Sequence, residues 1–394
     1  MSSSSKKIFN LTILNIVTSL LWLVVLPAFL CIQNLIIKNI KKNSVENRII
    51  YFFLLFYIIV IQLTRIPITD FAHQIGFFKY SFRSFSMEFL FEFINLCLIR
   101  IPIDFKIIFT VFWLIFIYIL LWSSLKKLNL LNIEVVILSL FIPYLFMNTL
   151  HLTQQFAGAS LFFYGYVTKL VSKTKKEKNI GVFLIFLSIF IHLSILLFVP
   201  FVFLKKIKFN VWTLLIIGII VLIFSQMNVL KIFIYLVSHF SKSSILYKGI
   251  YQKISSVAIE GDNPADVLSV VAFIESGLMV ILGLLFYNKF TYPLKNLFVL
   301  FITCYIFIIL FRHYPILGLR YYVDFEILKM FFYSFFFFKF KPVVKQFRLI
   351  GYIGLLYFIF SFFTSFTHAP FSFQGIHGLN ILSLNLPEII NNIK

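Results

Sequence analysis

Residues 180–204 read IGVFLIFLSIFIHLSILLFVPFVFL and lie between two basic clusters, Lys173-Thr-Lys-Lys-Glu-Lys178 and Lys205-Lys-Ile-Lys208. The length of the apolar run suits one transmembrane helix. Both flanks, however, carry the lysine excess that membranes hold on the cytoplasmic side. A re-entrant pair of short half-helices over 180–204 satisfies both facts, with His192 at its apex. An imidazole at membrane depth is costly unless it faces protein or a water-filled cavity, which makes His192 a functional candidate. The plainer alternative is a helix histidine bonded to a neighbouring carbonyl.

The hairpin sets the parity of everything after it. A single crossing would put every later basic cluster outside, including Lys339, Lys341, Lys345 and Arg348, whereas two half-crossings keep the dense clusters on one side. Composition points the same way: 61% of the 394 residues are hydrophobic and 12% are charged. With a mean hydropathy of +0.99, the chain is far more apolar than a soluble domain. The expected fold is therefore all-α and polytopic, with about 10–12 transmembrane segments. No polar stretch is long enough for a separate soluble domain, so residues 1–394 form one membrane domain. The net charge of +21 sits in short clusters between apolar spans, so it encodes topology and not a nucleic-acid surface. Cys31, Cys97 and Cys304 are far apart and form no metal-spaced or paired pattern. Runs such as Phe335-Phe-Phe-Phe338 read as lipid-facing filler.

In chain order, spans are expected over 8–37, 49–63, 104–125, 133–150, 156–170, 211–227, 266–287, 297–311, 321–338 and 349–366. Residues 88–100 are too short to span and read as an interfacial or re-entrant helix with Glu88 and Glu92 on one face. Residues 151–155 read as a polar turn, 228–265 as the longest external loop, 312–320 as a further external loop and 367–394 as an external tail.

Four outward clusters carry titratable or polar groups: 65–92, 151–155, His192 and 312–324. Arg65, Arg83, Arg312 and Arg320 place guanidinium groups where cytoplasmic retention is not their role. The planar donor fork of Arg pairs with phosphate oxygens, so several on one cavity suit a diphosphate. The alternative for each is snorkelling to lipid headgroups. His192, Asp70 and Glu88 are the candidate proton acceptors, although Asp70 is also placed to be a structural partner of Arg65. Gln154 and Gln155 offer uncharged donors and acceptors of the kind sugar hydroxyls need, or satisfy a buried turn. His73, His151, Tyr321 and Tyr322 join them as candidate sugar contacts. No Ser/His/Asp pattern, phosphate loop, dinucleotide fingerprint or metal-spaced cluster is found, so the chain implies no cofactor and a metal-independent reaction.

Three stretches together resemble the EpsG-like, Wzy-type bacterial polysaccharide polymerases. In Leu63-Thr-Arg65-Ile-Pro-Ile-Thr69-Asp70 an Arg closes a span and a Thr-Asp pair follows, with Glu88 as the acidic residue downstream. Thr153-Gln154-Gln155-Phe156-Ala157 opens an apolar helix and Ile191-His192-Leu193-Ser194 comes after the next basic loop, similar to that family's Arg-Gln-x-x-Ala helix and His-x-Ser segment. Arg320-Tyr321-Tyr322 resembles its late Arg-x-x-x-Tyr region with tighter spacing. One departure is Thr153, which stands where the family usually has Arg, leaving Arg312 or His151 as substitute cations for that turn.

The resemblance implies a multispan, C-type-like glycosyltransferase of the bacterial inner membrane, with its active site on the periplasmic or exterior face. It would transfer a growing glycan from undecaprenyl diphosphate to a hydroxyl of another lipid-linked repeat unit. Undecaprenyl-diphosphate-linked oligosaccharide, membrane lipid and a chain-length regulator protein are the partners it implies. An O-antigen ligase or another outer-face glycan or acyl transferase fits nearly as well, and a lipid-linked oligosaccharide flippase fits less well because the candidates gather on one side.

Overall fold

The computed structural model describes residues 51–52, 54–56, 59, 63, 88–132, 135–136, 139, 152–203, 270–310 and 315–339. All regular structure among the described residues is helical. The chain divides into two compact units, Met1–Ile195 with Tyr333–Lys394, and Leu196–Phe332.

In the first unit, α1 (Phe89–Ile99) is the short helix expected after Glu88. Its buried residues Phe91, Asn95 and Leu98 recur at helical spacing and form one face. Against that face lies α2 (Phe105–Lys127), whose Trp113 stacks on Phe91 with ring centroids 4.7 Å apart. The Trp113 indole Nε1 donates to Asn95 Oδ1 at 2.9 Å, so a polar residue in an apolar helix is spent on satisfying a buried donor.

Both ends of α2 are written in the sequence. Asp104 caps the start, its Oδ1 accepting from the amides of Lys106 at 2.9 Å and Ile107 at 3.3 Å. Lys126 and Lys127 complete the last turn, where the helix dipole favours cations. The chain then leaves through a Schellman motif: Asn129 adopts φ 55°, its amide donates to the Lys126 carbonyl at 2.9 Å, and the Leu130 amide donates to the Leu125 carbonyl at 2.8 Å. Asn tolerates this left-handed position better than a residue with a bulky or branched side chain would.

Helix α3 (Thr153–Val171) packs against α2 on one side and α4 (Lys175–Ile191) on another. It is buried almost all round, from Thr153 to Thr168. The Cβ that Gly165 lacks would lie 2.8 Å from the Gly181 carbonyl oxygen, and that of Gly181 would lie 2.7 Å from the Gly165 oxygen. The two helices therefore touch backbone to backbone, the packing that small residues permit where lipid removes the hydrophobic drive for association. Thr174 caps α4, accepting from the Glu177 amide at 3.3 Å. Val182, Phe183 and Phe186 on α4, with Phe89 and Phe93 on α1, are exposed aromatic and aliphatic surface.

The expected hairpin segment is interrupted at His192. Helix α4 ends at Ile191, His192 is extended at φ −149° and ψ 121°, and the chain continues as a 3-10 helix (Leu193–Phe198) and a short α5 (Val199–Phe203).

The second unit contains α6 (Val270–Leu285), α7 (Tyr292–Leu310) and most of α8 (Pro315–Tyr333), which runs on as a π-helical stretch, Ser334–Lys339. Its core is aromatic: Phe301 stacks on Phe325 at 4.5 Å, and Phe332 lies 5.1 Å from Phe301 and 5.4 Å from Phe298. Among the described residues, α2 and α7 are long and apolar enough to cross a membrane. The expected spans over 8–37, 211–227 and 349–366, the loop 228–265 and the tail 367–394 lie outside the described residues.

Three boundaries and one surface reading need correction. Helix α3 begins at Thr153, so Gln154 and Gln155 belong to its first turn and not to a loop. Helix α7 begins at Tyr292 and takes in Lys295. Helix α8 begins at Pro315, which occupies the first helical position where its missing N–H costs nothing, so Arg320, Tyr321 and Tyr322 lie within a helix and not at a loop end. Phe335 and Phe336 are buried, not lipid-facing.

Candidate functional site

Two of the proposed proton acceptors meet. His192 Nδ1 lies 2.9 Å from Glu88 Oε1, across a separation of 104 residues, with side-chain exposures of 12% and 17%. The same carboxylate oxygen accepts the Leu193 amide at 2.9 Å.

That second bond explains why the helix stops where it does. The His192 amide still donates to the Ser188 carbonyl at 3.0 Å, as a helix requires. One residue later the Leu193 amide, which a continuing helix would direct to the carbonyl of Ile189, donates instead to Glu88. No proline or glycine stands at 191–193 to break the helix, so a side chain from the start of α1 supplies the break.

On the other side of His192, the Ile191 carbonyl accepts from Gln154 Nε2 at 3.0 Å. This is one of the carbonyls that a helix end leaves without an intrahelical partner. Gln154 is held for this by its place in the first turn of α3, and Gly158 one turn on brings the α3 backbone close to the imidazole root. A Cβ at Gly158 would fall 2.9 Å from His192 Cβ.

The ring's two nitrogens therefore differ. A carboxylate on Nδ1 fixes the proton there, since an ionised carboxylate only accepts. Nε2 is left as the basic nitrogen. It is buried with no hydrogen-bond partner among the described residues, and so is Ser194 Oγ two residues on. Two such atoms two residues apart leave polar groups to be satisfied in a stretch of sequence that is otherwise apolar. The Phe190 ring, two residues before His192, has its centroid 4.9 Å from that of Phe89 and 4.9 Å from that of Phe186. An imidazole oriented by a carboxylate on one nitrogen, with the other nitrogen available, is the arrangement that hydrolases and transferases use to take a proton from a hydroxyl.

Of the remaining candidates, Gln155 is buried in α3 and Thr153 is fully buried at its first position. Arg320, Tyr321 and Tyr322 lie in α8 in the second unit. Arg65, Asp70, His73, Arg83, His151 and Arg312 lie outside the described residues.

Sequence reasoning ended its last cluster at Asp324 and missed the two buried charges that follow it along α8, Glu326 and Lys329. Asp324, Glu326 and Lys329 are 0%, 1% and 2% exposed, and Lys329 Nζ donates to Glu326 Oε1 at 2.8 Å. The signal was available as an acid and a base three residues apart in an apolar helix, a spacing that places them on one face.

Set against known proteins, residues 49–376 match the model of the EpsG family. The chain matches no curated protein and no solved structure.

Proposed function

The chain belongs to the EpsG family, a family of polysaccharide polymerase-like membrane proteins, and on that premise we propose that it is a polymerase that joins lipid-linked glycans. The donor is a growing glycan on undecaprenyl diphosphate and the acceptor is a hydroxyl of another lipid-linked repeat unit, at the outer face of the inner membrane. The observation that carries this reading is the Glu88–His192 pair, with Nε2 buried and without a partner among the described residues.

In the reaction, the acceptor hydroxyl oxygen attacks the anomeric carbon of the donor sugar. The bond from that carbon to the diphosphate oxygen breaks, and its electron pair leaves with the diphosphate. The hydroxyl proton passes to His192 Nε2, and the Glu88 carboxylate on Nδ1 stabilises the imidazolium so formed. The proton then goes to solvent or to the departing diphosphate, which restores the neutral ring. Charge that collects on the leaving group is met by cationic donors, for which Arg65, Arg83, Arg312 and Arg320 are the proposed residues. A site shielded from water strengthens each of these interactions.

The test is complementation of a deletion strain, read as glycan length on a size-resolving gel. The wild-type gene restores a ladder, and His192→Ala leaves a single lipid-linked repeat unit while the protein remains in the membrane. A normal ladder with His192→Ala refutes the role of the residue. Normal chain length with loss of surface attachment in the deletion strain makes the protein a ligase, and units trapped on the inner leaflet make it a flippase.

A further inference from the structure

We infer that Gln154 and Gly158 are positioning residues, which hold His192 in its working orientation through the backbone and not by contact with sugar. The inference rests on the proposed role of His192 and deepens it.

The extended residue at the end of α4 has two backbone neighbours to be satisfied, one on each side. The amide of Leu193 is held by Glu88 and the carbonyl of Ile191 by Gln154 Nε2, at 2.9 Å and 3.0 Å. His192 is thus clamped from α1 and from α3, two elements far from it in sequence. Removing either clamp leaves a backbone group at the break without its partner, and the break is free to relax. The helix is then free to extend by one residue, which takes His192 from φ −149° to a helical φ of about −63° and turns its Cβ and imidazole about the N–Cα bond, off Glu88.

Gly158 sets the remaining degree of freedom. Its absent Cβ is replaced by the root of His192, and the contact that a methyl would make, 2.9 Å to His192 Cβ, is with an atom that cannot swing aside without the backbone. A methyl there would push the ring away from α3. Gln154 and Gly158 stand four residues apart on α3, so both act from one face of that helix. This assigns Gln154 a duty other than the sugar contact its amide first suggested.

Gly165 supplies the control. It lies on the same helix and in the same helix pair, and its added Cβ would meet the Gly181 backbone at 2.8 Å, but the contacts made there do not include His192. Gly165→Ala therefore disturbs the packing of α3 on α4 seven residues along α3 from Gly158, at Gly181 to Ile185 and not at the residues of the clamp.

The full-length protein, in nanodiscs, is assayed with undecaprenyl-diphosphate-linked repeat unit extracted from polymerase-deficient cells of the same strain. Gln154→Leu and Gly158→Ala are expected to lower kcat by about tenfold or more while KM for the lipid-linked unit stays within about twofold. Gly165→Ala is expected to lower thermal stability and leave kcat of the folded fraction unchanged. Independently of activity, nitrogen-15 histidine spectra report the tautomer of each ring, and the His192 signal is identified by its loss in His192→Asn. The wild-type ring is expected to hold its proton on Nδ1, and Gln154→Leu to mix the two tautomers. A wild-type tautomer and wild-type kcat in Gln154→Leu overturn the inference, as does an equal loss of kcat in Gly165→Ala. If His192→Ala polymerises normally while Gln154→Leu still mixes the tautomers, the proposed chemistry falls and the clamp stands.

Discussion

Two acid–base pairs are held largely out of solvent in the described structure, one fully buried and one part-buried, and they differ in what they leave over. Glu326 and Lys329 pair within one turn of α8, an acid and a base three residues apart, both about 2% exposed or less. Glu88 and His192 pair across 104 residues, join α1 to the end of α4, and leave Nε2 buried without a partner among the described residues. The first pair is local: helix geometry alone brings its partners together, and it neutralises two charges that burial would otherwise penalise. The second requires the fold, and it orients a group that can still take a proton. Proximity of opposite charges is therefore no mark of a site by itself. A long-range pair with one polar atom to spare is the more telling pattern.

This contrast can be broken experimentally. The largest effect is expected at His192, where alanine removes the base. Polymerisation should fall by about 10²- to 10⁴-fold, the usual worth of general-base assistance, when measured as product per folded molecule. Glu88→Gln should follow. It keeps a hydrogen-bonding side chain but removes the charge that stabilises the imidazolium, and turnover should drop by about 10²-fold, with KM little changed.

At the local pair the outcome should be reversed. Lys329→Met leaves a buried Glu326 without its partner and should cost about 3–5 kcal/mol of stability, whereas the double change Glu326→Gln with Lys329→Met should cost less than the single one. Both are read by thermal unfolding in detergent, with specific activity of the folded fraction retained. A loss of activity without a loss of stability would show that the Glu326–Lys329 pair carries chemistry and would erase the distinction drawn here. Smaller still is Asn95→Leu, which orphans the Trp113 indole at the α1–α2 contact. That change should cost about 1–3 kcal/mol, measured in the same way.

Much of this was legible in the sequence, and the rest was hidden for physical reasons. Asp104 and the Lys126-Lys127 pair mark the two ends of α2 because capping and the helix dipole act locally. The start of α3 was misplaced since Gln154 and Gln155 are polar, and polar residues beside an apolar run suggest a loop. Here they sit in the first turn of a helix, Gln155 buried and Gln154 bonded to the end of α4. The start of α8 was likewise misread, because Pro315 and Gly318 look like turn residues but lie at the beginning of a helix. Burial of Phe335 and Phe336 could not be read, since a run of phenylalanines has no polar face to show which side meets protein.

The candidate site shows the same division. His192 and Glu88 were each selected from the sequence, one for its depth in an apolar run and the other as a carboxylate of an outward cluster. They stood as alternative bases. That one orients the other could come only from the fold, which brings residues 88 and 192 within 2.9 Å. The break in the helix at His192 has the same origin. The sequence suggested an interruption from the charges flanking the run, whereas the residue at which it falls is set by a carboxylate from another helix.

The most direct test of this account is the coupling between Glu88 and His192. Turnover is measured for Glu88→Gln, His192→Ala and the double variant on the same lipid-linked repeat unit. If Glu88 acts through the imidazole, the double variant polymerises no more slowly than His192→Ala alone. Losses that multiply in the double variant would mean that the two residues act independently, and would contradict the pair as the unit that does the chemistry.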